Sequence, residues 1–138
     1  MKNKLIILIF VASLVVFISI FYINFSLLIL EKEEIVAILI VGDKAGFDVN
    51  STALTFGMIT AGSSSSRNLI IENNYDFPIK VEFNVKGDIK RFLVFEKVVY
   101  LDSGENKTVS IGTIDPVNEE YGNYSGKVIV VTKRNLYG

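Results

Sequence analysis

The chain of 138 residues has no cysteine, no histidine, no tryptophan and only two prolines. Without cysteine there is no disulfide and no thiolate metal site, so a domain outside the cytoplasm would be held by its core alone. Without histidine, the commonest general base and the commonest transition-metal ligand are both missing. The base that usually activates a serine nucleophile goes with it, which leaves the serines at 63–66 reading as a polar turn. One-sided charge is missing too. The formal net charge is −1, and the basic pairs Lys90-Arg91 and Lys133-Arg134 stand alone. Nucleic acid requires a basic face, so no nucleic-acid partner is expected.

What the chain does have is one long apolar run. Residues 5–30 carry no charge. As a helix rising about 1.5 Å per residue, this run is about 39 Å long, enough to cross a hydrocarbon core of about 30 Å. It reads as a single transmembrane helix, an uncleaved signal anchor contacting membrane lipid. A cleaved signal peptide is the rival, but its apolar region is about 7–15 residues and ends at a small-x-small site. Residues 22–26 lack that pattern. Lys2 and Lys4 precede the run, so residues 1–4 are expected in the cytoplasm and the rest of the chain outside. Asn24 falls near the outer end of the span, where amphipathic side chains settle.

Residues 31–34 read as a short linker. After them come short apolar pieces separated by turn chemistry roughly every 8–12 residues, with no helical period. Residues 35–41 could prolong the helix or form a first strand; their β-branched content and the following Gly42-Asp43 favour strand. Gly57, inside an alternating stretch, suggests a bulge. The clearest strand sets Phe77, Ile79, Val81, Phe83 and Val85 in alternation with Pro78, Lys80, Glu82, Asn84 and Lys86. That is one buried face and one wet face. Seven to eight such strands make an all-β sandwich over residues 35–133, followed by a fraying tail at 134–138. The Cys…Trp…Cys spacing of antibody domains is absent.

Three stretches carry a resemblance: Leu54-Thr55-Phe56-Gly57-Met58-Ile59 before a polar turn; Leu69-Ile70-Ile71-Glu72-Asn73 before Pro78 and Val81; and Tyr121-Gly122-Asn123-Tyr124-Ser125-Gly126-Lys127-Val128 leading into the last strand. Together they resemble archaeal membrane-anchored immunoglobulin-like β-sandwich surface proteins, within the wider major-sperm-protein-like and Hydin-like group. The resemblance implies a fold and no shared catalytic residues. It also implies that Tyr124 is a tyrosine corner, its hydroxyl bonded to nearby backbone. A second resemblance is to archaeal filament proteins, which join an apolar helix to a β-sandwich. Met1-Lys2-Asn3-Lys4-Leu5 shows no processing site of that class, so this alternative is an unprocessed, stator-like archaellum component.

Candidate sites are few. Asn50-Ser51-Thr52, Asn106-Lys107-Thr108 and Asn123-Tyr124-Ser125 are glycosylation sequons in turns or strand ends. Asn24-Phe25-Ser26 has the same pattern beside the membrane, out of a transferase's reach. Asp43, Asp48 and Asn50, or Asp115, Glu119 and Glu120, could offer oxygens to Ca²⁺, but neither loop supplies the six to eight required. Tyr100, Tyr121, Tyr124 and Tyr137 are candidate contact residues. No catalytic residue, metal or cofactor is called. The expected function is a non-enzymatic binding or structural module of the cell envelope with a protein partner there. The alternatives are the archaellum-associated component, a carbohydrate-binding module or small enzyme, and a cytoplasmic sandwich.

Overall fold

The computed structural model describes residues 2–26, 28–43 and 53–136. Its first element, α1 (Lys2–Ser26), is apolar on every face. Between Asn3 and Ile23 mean hydropathy is 3.0, and none of that span is buried against the protein. Ser13 and Ser19 donate their hydroxyls to the carbonyls of Phe10 and Val15, each at 2.8 Å. Both hydroxyls are thereby satisfied inside the helix, as a hydrocarbon environment demands. The helix is long and apolar enough to cross a membrane, a test that a signal sequence also passes.

Among the described residues eight strands follow, in two sheets. The larger sheet contains β1 (Ile29–Val41), β2 (Leu54–Ile59), β4 (Ile79–Gly87), β6 (Val98–Leu101) and β8 (Gly122–Arg134). Its order is β2-β1-β8-β4-β6, and it curls into a half-barrel. The smaller sheet contains β3 (Ser66–Glu72), β5 (Leu93–Val94) and β7 (Asn106–Thr113), in the order β3-β7-β5. Pairing is antiparallel except between β1 and β2, which run parallel with a register shift between Ile38 and Ile40. Gly57, at φ 74°, lies on β2 opposite that shift, where the left-handed backbone suits glycine.

Alternation along the strands builds one core. Ala37, Leu39 and Val41 of β1 meet Val81, Phe83 and Val85 of β4, Val128 and Val130 of β8, and Val109 and Ile111 of β7. A 3-10 helix, Asp88–Phe92, carries the chain from one sheet to the other and inserts Ile89 and Phe92 fully into the core. Each such side chain contributes about 1.5–3 kcal/mol by leaving water.

Two boundaries differ from the sequence reading. Residues 31–34 are not a linker, and the helix does not run to Leu30; both segments belong to β1. The register pairs Ile29 with Lys133, and Glu31 through Glu34 with Thr132 through Ile129. Backbone pairing, not apolarity, makes this half of β1 a strand, because β8 is long enough to supply a partner at every step but the irregularity at Leu30. The chain's end is also tied down as far as Asn135. Arg134 N donates to Leu28 O and Asn135 N to Pro78 O, both at 3.0 Å. Residues 35–41 are strand, the favoured of the two readings.

Candidate functional site

The two sheets share a core but leave two open sides. On the first, β2 pairs with β1 only from Ala37 onward, so among the described residues the earlier part of β1 has a free edge beside β3. Glu31 and Glu33 fall on the same face of β1 as Ala37 and Leu39. With Ile70, Ile71 and Glu72 of β3 they line a cleft of about 180 Å³. Charged residues facing inward at a sheet edge prevent indiscriminate strand addition.

On the opposite side, β6 pairs with β4 only across Ile79 to Glu82. One more bond, Phe83 N to Lys97 O at 2.9 Å, closes that ladder. Beyond it the β4 edge is open. There the Asn84 Oδ1 accepts from Val85 N at 2.8 Å, covering a backbone donor that no strand among the described residues reaches. A cleft of about 480 Å³ lies beside this edge, lined by Phe83, Val85, Leu93 and Phe95, with Lys90 and Lys97 in its walls.

Glu34 holds Lys127 at 2.9 Å and Lys32 at 3.5 Å. Glu82 holds Lys133 at 2.6 Å and Lys80 at 2.7 Å. Lys133 and then Lys80 push the Glu82 carboxyl below its ordinary range by hydrogen bonding to the charged form, and Glu82 in turn raises Lys80. Glu34 is likewise lowered, chiefly by its bond to Lys127. Arg91 pairs with Glu119 at 3.1 Å, Lys107 with Glu96, and Arg134 lies over the Phe77 ring at 4.2 Å. Lys86, Lys90 and Lys97 make no ion pair among the described residues, and neither do Glu31, Glu33 and Glu72.

Tyr124 is buried, and its hydroxyl donates to the Glu120 carbonyl, four residues upstream, at 2.7 Å. Its ring packs on Phe92 with centroids 4.5 Å apart, and Arg91 covers both rings. Asn106 opens β7 and Asn123 lies near the start of β8, both exposed. Asn50 lies outside the described residues, as do Asp48 and Tyr137. Asp43 is exposed. Asp115 accepts from Gly62 N at 2.7 Å, so it and Glu119 are engaged in holding loops. No group of three potential metal ligands occurs among the described residues. Ser63 accepts from Thr60 N and donates to Thr60 O, making its turn. Tyr100 and Tyr121 are exposed.

The residue that sequence reasoning missed is Asn73, fully buried at the end of β3. Its Nδ2 donates to the carbonyls of Phe77, Leu101 and Asp102 at 2.9, 3.3 and 2.9 Å, while its Oδ1 accepts from Tyr75 N at 3.0 Å. It ties the β3–β4 loop to the β6–β7 loop. An Asn before a turn was visible in the sequence; its reach to residues 101 and 102 was not. Comparison with protein-family models, curated proteins and solved structures finds no match to this chain.

Proposed function

We propose that the chain is a single-pass membrane protein whose β domain stands outside the cytoplasm and works by binding in the cell envelope, not by catalysis. The observation that carries this reading is the junction between α1 and β1. The helix ends at Ser26 and the strand begins at Ile29. Two residues separate them, and three Cα–Cα steps span at most about 11 Å, so the β domain would sit against the bilayer surface. Such tethering raises the domain's effective concentration toward its neighbours, so weak contacts suffice. Lys4 at the start of the helix supports a cytoplasmic N-terminus. The two-sheet arrangement and the Tyr124 hydrogen bond support an immunoglobulin-like sandwich of the archaeal surface-protein kind. The exposure of Asn106 and Asn123 supports their use as glycosylation sites.

The test is extraction and protease treatment of cells making the native chain. The protein should stay with membranes at alkaline pH, and external protease should digest the β domain on intact cells. Release at alkaline pH would rule out the anchor. Protection of the domain would overturn the orientation. Mass spectrometry of the native protein reads glycans at Asn106 and Asn123 directly.

A further inference from the structure

The two open sides of the β domain are complementary to each other, and we infer that the binding partner is a second copy of this chain, docked side to side. The inference rests on the membrane-anchored reading above. One side presents Glu31, Glu33 and Glu72 around a small cleft, and the other presents Lys90 and Lys97 around a larger one, whose remaining charge, Glu82, is already paired with Lys80 and Lys133. Glu31, Glu33, Glu72, Lys90 and Lys97 make no ion pair within the chain among the described residues, although most other charged side chains on the strands do. Unspent charge of opposite sign on opposite sides favours head-to-tail contact between copies.

Register places the two sides at a common height. Glu33 pairs with Val130, Val130 with Phe83, and Phe83 N bonds Lys97 O. A single row across the larger sheet therefore leads from Glu33 on one side to Lys97 on the other. Both β1 and β4 run antiparallel to β8, so they point the same way. Copies anchored in one membrane share an up direction and a height. A sideways step then brings Glu33 of one copy level with Lys97 of the next, with no rotation needed, and Lys90 lies further along the same cleft. The free part of the β4 edge, where Asn84 Oδ1 accepts from Val85 N, lies level with the end of the free part of β1. Such an interface is heterologous and does not close on itself, so it propagates as a row of copies.

The experiment uses the full chain in liposomes. A zero-length carbodiimide joins carboxylates to amines in contact, and mass spectrometry locates the links. The expected links join Glu31 or Glu33 to Lys90 or Lys97 between isotopically distinct copies, and they weaken as salt is raised. Two charge-reversed chains follow, Lys90→Glu with Lys97→Glu, and Glu31→Lys with Glu33→Lys. Each alone should lose the cross-linked species, and mixing the two should restore it. Restoration on mixing cannot come from a folding defect. Monomers in the liposomes, links elsewhere, or no recovery on mixing would overturn the inference while leaving the anchor intact. Failure of the chain to enter liposomes would instead sink the membrane reading itself.

Discussion

Asn73 satisfies three carbonyls and one N–H from a position with no access to water. Buried polar groups left without partners cost about 1–3 kcal/mol each. Asn73→Ala should therefore lower stability by about 2–3 kcal/mol or more, read as the urea midpoint of the detergent-solubilised chain by tyrosine fluorescence. Asn73→Asp, nearly the same shape, should be no better, because a carboxylate would face carbonyl oxygens. If the aspartate variant matches the wild type, the amide is not the donor. Tyr124 separates two effects at one site. Tyr124→Phe removes only the bond to Glu120 and should cost about 1 kcal/mol. Tyr124→Ala also removes the ring packed on Phe92 and should cost about 3–5 kcal/mol. Glu82 adds a pH dependence. Its folded pKa lies below its ordinary 4.5, so its contribution is present above that value and is lost as pH falls through the lower folded one. Glu82→Gln should be less stable than wild type by about 1 kcal/mol at pH 7, and the gap should close as pH falls through the lowered folded value.

At the scale of elements, what the sequence reveals depends on what makes each strand. β4 declares itself, because Ile79, Val81, Phe83 and Val85 alternate with polar residues and all four are buried. Gly57 signals the irregularity in β2 for a local reason, its backbone conformation. The first half of β1 does not declare itself. Glu31, Lys32, Glu33 and Glu34 bury little, and only their register with β8 makes them a strand. That register is a relation between residues about a hundred apart, which no local pattern encodes. The open sides of the domain were hidden for the same reason: which charges flank an open strand edge is recognisable only once the strands have been paired. Gly87 and Gly126 illustrate the same limit. They are register partners where β4 and β8 approach closely. A Cβ on Gly126 would collide with the Lys86 carbonyl and come within 2.8 Å of the Ile89 side chain. Gly126→Ala should push the strands apart there and cost about 1–3 kcal/mol. Amide hydrogen exchange should show the loosening at residues 85–87 and 125–127, with the β3–β7 ladder unchanged. Uniform loosening of both sheets would contradict a local collision.

For the whole molecule, the question is where the membrane element ends and the folded domain begins. The apolar run suggests a break after Leu30, and the charges suggest one after Glu34. The hydrogen bonds place it between Ser26 and Ile29, since Leu28 O already accepts from Arg134 N. Two shortened chains discriminate. One beginning at Ile29 keeps every pair between β1 and β8. One beginning at Ile35 discards the half of β1 that covers residues 129–133 of β8, removes Leu30 from the core's margin, and leaves Lys127 without Glu34. At about 1 kcal/mol net for each backbone bond, the second should be less stable by about 2–5 kcal/mol. Its urea midpoint should fall accordingly, with a smaller slope because less surface is ordered. Equal midpoints would return the boundary to residue 35 and make residues 29–34 a tether. That outcome would also remove the free edge of β1 from the folded surface, and with it the acidic side on which a neighbouring copy is expected to dock.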